Sequence, residues 1–152
     1  MQVQAPFTDV KALVDAEQLR LALPAHWKVD SPSYFMVHPT AMASSILLPA
    51  GHAADVKAGH GARVVRFADA LGRPAATGRV VLNGQSAVFD RIETFEPHRR
   101  KGLGSALMCA LDALAEQAGI AERLLVATEA GRALYTSLGW RVLAPYSSAV
   151  ST

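Results

Sequence analysis

The run Arg99-Arg100-Lys101-Gly102-Leu103-Gly104-Ser105 gathers three cations and two glycines directly before an amphipathic stretch. A helix that starts at these glycines offers unpaired backbone N–H groups and the positive end of its dipole, a terminus where phosphate binds readily. Gly102 and Gly104 remove Cβ atoms where a ligand would approach the backbone. Arg99, Arg100 and Lys101 add charge at the rim. The same residues also suit a plain strand-to-helix turn with solvated charges. Two common phosphate motifs do not fit. A P-loop places its lysine after the second glycine, whereas Lys101 precedes Gly102, and a dinucleotide fingerprint needs a third glycine where Leu107 stands.

Other chemistry-bearing residues are sparser. Asp90 and Glu93 share a strand-like segment and lie on opposite faces of it if side chains alternate regularly. His26, His38, His52, His60 and His98 have no paired ligand spacing, so no metal site is expected. His98, beside the glycine turn, reads as a solvated neighbour of a bound anion. Cys109 stands alone, which rules out an internal disulfide and a cysteine-based zinc site. No Ser-His or Cys-His nucleophile motif is recognisable.

The elements that must position these residues follow from periodicity and punctuation. A helix is expected from about Val10 to Leu23, capped by Thr8 or Asp9 and ended by Pro24. His26–Asp30 and Ser33–His38 look like short strands. Ala41 to Gly51 reads as a small-residue loop or irregular strand, and Ala53 to Arg63 is too short for a pair of helices. Arg63–Ala68, Gly78–Leu82 and Ser86–Phe95 are strand-like, with a turn near Leu71–Pro74 and a hairpin signal at Asn83-Gly84. A helix over Gly102–Gln117 carries Leu103, Leu107, Leu111 and Leu114 on one face. It is followed by a strand at Arg123–Ala127, a short helix at Gly131–Leu138, and two last strands at Trp140–Leu143 and Ser147–Val150. Helices packed on a mixed sheet make this an α/β layer architecture.

Composition bounds the rest. The chain has 152 residues, 51% hydrophobic and 18% charged, with a formal charge of +2. That length fits one domain over 1–152, and the apolar content excludes general disorder. The start MQVQAPFTDV has neither a basic region nor an apolar run, so no leader is expected, and no window approaches a bilayer span. A lone cysteine suits a reducing, cytoplasmic setting. Basic residues outside the turn are dispersed among acidic ones, which argues against a nucleic-acid partner. Ile46-Leu47-Leu48 reads as a short buried strand or as an exposed apolar element usable in a homodimer.

Two segments together carry a family resemblance. Arg99-x-x-Gly102-x-Gly104, after a strand and opening a helix, resembles the acyl-coenzyme A pyrophosphate loop of the GNAT superfamily of N-acetyltransferases. Ala133-Leu134-Tyr135-Thr136-Ser137-Leu138-Gly139-Trp140 resembles the same family's later motif, a short helix ending in Leu-Gly-aromatic. The likeness covers roughly Arg63 to Val150. It implies a GNAT-like mixed, largely antiparallel central sheet flanked by helices, with residues 59–152 as the acyl-coenzyme A-binding core and 1–58 as an atypical amino-terminal segment.

The resemblance also implies roles. Backbone amides of Arg100, Lys101, Gly102, Leu103, Gly104 and Ser105 would cradle the pyrophosphate of acetyl-coenzyme A, with Arg99 beside them. The strand holding Ile92, Glu93 and Thr94 would splay from Arg123–Ala127 and pair with the pantetheine arm. A primary amine, on a small molecule or a protein, would then attack the thioester directly; a non-catalytic acyl-coenzyme A-binding module on the same fold is the alternative. Tyr135 matches the family's general acid, with packing of the ring on the sheet as the other reading. Glu93 and Asp90 are the candidates for general base, with structural pairing as the alternative for Asp90. Thr128 replaces an asparagine that contacts pantetheine in many relatives, and the two helices usual between the first and second strands are missing.

Overall fold

The computed structural model describes residues 8–42 and 45–152. Residues 1–7, where the absence of a leader was read, and 43–44 of the Ala41–Gly51 segment lie outside the described residues. The strands are β1 (Asp9–Ala12), β2 (Trp27–Val29), β3 (Ser33–His38), β4 (Ala53–Gly59), β5 (Ala62–Ala68), β6 (Pro74–Asn83), β7 (Ser86–Thr94), β8 (Glu122–Ala127) and β9 (Arg141–Ser151). The α-helices are α1 (Ala16–Ala22), α2 (Leu103–Gln117) and α3 (Glu129–Ser137), and a single 3₁₀ turn spans Glu96–His98. All nine strands join one sheet in the order β1-β9-β3-β8-β7-β6-β5-β4, with β2 also paired to β9. Only β7 and β8 run parallel among these pairs. The expected mixed, largely antiparallel sheet flanked by helices is what forms.

The amino-terminal segment departs from expectation in three places. The helix begins at Ala16, not Val10, because Asp15 and Gln18 form a capping box: Gln18 N–H donates to Asp15 Oδ1 at 2.8 Å, and Asp15 N–H to Gln18 Oε1 at 3.1 Å. Val10 and Ala12, inside the expected helix, instead lie in β1 opposite Ala149 and Ser147. The segment after His52, in which no element was placed, is the edge strand β4, whose small residues carry little strand propensity of their own. The two last strands are one, β9, kinked by a bulge at Leu143 where Phe35 and Met36 oppose Ala144 and Val142.

β3 lies between β8 and β9, so the amino-terminal segment supplies a strand to the middle of the carboxy-terminal half. The chain then crosses to the far edge through residues 39–52, which contain no described helix or strand. Leu48 is half-buried against the core, while Leu47 is exposed. A polar anchor fixes this crossing. Arg123 is fully buried, donates from Nε to Asp112 Oδ1 at 2.7 Å, and also reaches the carbonyls of Ile120 and Ala121. The other oxygen of Asp112 accepts the Met42 N–H at 3.1 Å.

α2 packs on β5, β6 and β7 with Leu103, Leu107 and Leu111 buried against Phe67, Val80 and Phe89. Trp140 is buried in the same core, whereas Trp27 joins Leu19 and Ala149 in a smaller cluster under α1. Side chains alternate across each strand. The opposite face of β5, β6 and β7 therefore carries Arg66, Thr77, Arg79, Asp90 and Glu93, away from α2, the α-helix that packs most closely on these strands.

Candidate active site

β7 and β8 pair only from Ser86 opposite Glu122 to Phe89 opposite Leu125. Beyond Phe89 a bulge redirects β7: Arg91 has φ +52°, and Arg91 with Ile92 stands opposite the single residue Gly78. The two strands part there. Past the parting lies a cleft of ≈ 600 Å³, bounded by Ile92, Glu93 and Thr94, by the start of α2, and by Thr128 and Tyr135.

The start of α2 is left open for an anion. Its N-cap is Gly102 at φ +78°, with no side chain capping it and no acidic residue in its first turn. A side chain at 102 would be strained in that left-handed conformation. Gly104 serves a different need, since a Cβ there would stand 3.0 Å from Leu134 Cδ2 on α3. Arg99 Nε donates to the Thr94 carbonyl at 3.0 Å, which ties the loop back to β7. Arg99, Arg100, Gly102, Leu103, Gly104 and Ser105 all line the cleft. These features match what a pyrophosphate needs: free N–H donors, a close backbone approach and cations at the rim.

Tyr135 comes from the second turn of α3, which Thr128 starts by accepting the Gly131 N–H at 3.2 Å. Its side chain is buried against Trp140, with ring centroids 6.4 Å apart. Burial pushes the Tyr135 phenol above its ordinary pKa, so the hydroxyl keeps its proton. Among the described residues none hydrogen-bonds that hydroxyl. Tyr135 lines both the cleft and the narrower gap between β7 and β8.

The Acetyltransferase (GNAT) family model matches residues 23–140. The chain belongs to the GNAT acetyltransferase family. Among solved structures, a GCN5-related N-acetyltransferase from Kribbella flavida superposes with a TM-score of 0.71 at 15% identity, over 95% of this chain and 68% of that one. Another from Sphaerobacter thermophilus gives 0.70 at 14%, over 95% of this chain and 59% of that one. A tandem GNAT protein from the clavulanic acid biosynthesis pathway gives 0.68 at 14%, over 90% and 58%. At these identities the likeness is one of fold, and the chain spans about three fifths to two thirds of those proteins' length. No curated protein matches it.

Seen as a GNAT chain, its residues sort clearly. Ile92, Glu93, Thr94, Thr128 and Tyr135 meet Arg99, Arg100 and Gly102–Ser105 around one cleft, while Lys101 is exposed and outside it. Asp90 lines the neighbouring gap and is held in a fork by Arg79, with contacts of 2.8 and 2.6 Å. Asp90 and Glu93 do not lie on opposite faces. The bulge adds one residue between them, so both share the face of Arg79 and Thr77. Ala130, Gly131 and Leu134 also line the cleft and were missed, although Leu134 sits inside the recognised motif. His98 is buried, not solvated: its ring stands 6.5 Å from that of His52, with Nε2 3.8 Å from Asp69.

Proposed function

We propose that this GNAT chain transfers an acetyl group from acetyl-coenzyme A to a primary amine by direct attack in a ternary complex. The observation that carries the reading is the uncapped, glycine-started α2 terminus with Arg99 and Arg100 at its rim, opening into the cleft where β7 leaves β8. Acetyl-coenzyme A supplies an activated thioester. N–H groups of Leu103, Gly104 and Ser105 hold its pyrophosphate, and the freed backbone edge of Ile92–Thr94 aligns the pantetheine arm. A β7 N–H in the bulged segment steadies negative charge on the thioester oxygen. Glu93, directly or through a water, takes the proton that the ammonium must lose before attack. A C–N bond forms, the C–S bond breaks, Tyr135 gives its proton to the departing sulfur, and the extra proton on the acylated nitrogen passes through water to the Tyr135 phenolate. Asp90 is a weaker base candidate because Arg79 holds both its oxygens.

Calorimetry with acetyl-coenzyme A tests this reading. Saturable binding that Gly104→Leu removes is the expected result, and no binding at millimolar ligand overturns it.

A non-catalytic acyl-coenzyme A-binding module is the second reading. It is favoured by the missing helix pair that the family resemblance implies between its first two strands, since no two α-helices separate consecutive strands among the described residues. Thiol release with a panel of amines separates the two, since a sensing module binds without turnover.

A further inference from the structure

Resting on the acetyl-transfer reading, we infer that the second cleft, beside the face of β4–β6 opposite α2, binds the amino-acid head of a diamino acid whose far amine is the acceptor. Four residues form a row across the sheet there. Asp55 pairs in register with Arg66, Arg66 with Thr77, and Thr77 with Glu93. Cross-strand partners point to the same face, so the row leads from the sheet edge to the proposed base. Beside it lies a cleft of ≈ 580 Å³ lined by Asp55, Arg66, Thr77, Pro74 and Phe95. Phe95 is two residues from Glu93, which makes this cleft the neighbour of the reacting strand.

The charges in this row are not used by the fold. Among the described residues neither Asp55 nor Arg66 takes part in an ion pair, although Arg73, Arg79, Arg123 and Arg132 all do. Both are exposed at the cleft. A cation and an anion side by side, left open, complement a zwitterion. Arg66 offers a planar fork for a carboxylate, and Asp55 accepts from an α-ammonium. Pro74 and Phe95 provide an apolar wall for a methylene chain.

The span fits such a ligand. Glu93 and Arg66 lie two strands apart, about 9–10 Å. A chain of four methylenes holds its ends about 6 Å apart, given C–C bonds of about 1.5 Å, and the side chains of Arg66 and Glu93 close the remainder. The arrangement also selects the reacting nitrogen. The α-ammonium at Asp55 keeps its proton and cannot attack, while the terminal amine loses its proton to Glu93, gains the acetyl group, and coenzyme A leaves as the thiol.

L-Lysine and 1,5-diaminopentane, which lacks the carboxylate, are the probes. Calorimetry on the full chain, with and without coenzyme A, should give at least tenfold tighter binding of lysine. Arg66→Ala should bring that ratio near one, with Arg66→Lys retaining part of it, and mass spectrometry should place the acetyl group on the side-chain nitrogen. Equal binding of the two amines, a ratio untouched by Arg66→Ala, or acetylation at the α-nitrogen overturns the inference. If both amines are acetylated equally well, the acetyl-transfer reading stands and this one falls. If acetyl-coenzyme A does not bind, that reading falls, and the lysine preference is still measured directly.

Discussion

Asp90 and Glu93 stand on the same face of β7, three positions apart, because the bulge at Arg91 and Ile92 inserts one residue between them. Their surroundings then separate them. Arg79 engages Asp90 through two contacts, whereas Glu93 is exposed and borders the cleft at the start of α2. Glu93→Gln should therefore lower kcat/KM at neutral pH by about 10²–10⁴-fold, the usual worth of a positioned base, and leave acetyl-coenzyme A affinity in place. Asp90→Asn should do the reverse, lowering the melting temperature with a smaller effect on rate. Steady-state kinetics and thermal melts on both variants check the pair.

Tyr135 is predicted to act as an acid over an unusually wide pH range. Burial raises its pKa, so the protonated form that donates to sulfur persists beyond pH 10. Because a thiolate leaves tolerably well without help, Tyr135→Phe should cost roughly tenfold in kcat, at the low end for acid catalysis. The same shift has a stability consequence. A pKa raised in the folded state means the unfolded chain loses the proton first, so the contribution is full below the ordinary tyrosine pKa and is lost as pH rises through the folded value. Resistance to urea should fall above about pH 10 in the parent and less so in Tyr135→Phe.

The glycine turn before α2 is legible in the sequence because its demands are local. Gly102 must adopt a positive φ and Gly104 must admit Leu134, and both demands are written as glycine next to the cations. The Ser33–His38 strand was equally visible, but its place between β8 and β9 depends on partners more than a hundred residues away in parts of its register, such as Ser33 with Tyr146. No local pattern encodes that. β1 was read as helix because Val10 and Leu13 fall at helical spacing, and sheet pairing with β9 overrode it. The common face of Asp90 and Glu93 was misread for a related reason. Strict alternation holds only while the ladder is regular, and nothing in Asp90-Arg91-Ile92-Glu93 announces the bulge.

Gly104→Ala is predicted to weaken acetyl-coenzyme A binding by tenfold or more. The added methyl would stand 3.0 Å from Leu134 Cδ2, so that side chain must give by a few tenths of an ångström into the cleft that it lines with Tyr135. Gly102→Ala should act on stability instead, because its φ of +78° opens onto empty space and the cost is conformational, about 1–2 kcal/mol for a non-glycine residue in the left-handed region. Calorimetry and urea titration of the two variants should show these effects in opposite proportion.

Asp112→Ala is predicted to be among the most damaging single changes outside the cleft. Arg123 is fully buried on β8 and leans on Asp112 Oδ1 at 2.7 Å, with Glu116 reaching it only at 3.2 Å from an exposed position. Removing Asp112 leaves a guanidinium without its main counter-charge, at a cost of about 3–5 kcal/mol for a broken buried pair. It also removes the acceptor for the Met42 N–H, releasing the crossing at residues 39–52 from α2. Urea denaturation should therefore give a large drop in midpoint, and amide exchange at Met42 should accelerate with it. Replacing both partners by apolar residues, Asp112→Leu with Arg123→Met, should recover much of the global stability because no buried charge remains, yet Met42 should stay unprotected. That split between recovered stability and unrecovered loop protection distinguishes an ion pair that merely avoids a penalty from one that also holds the crossing in place.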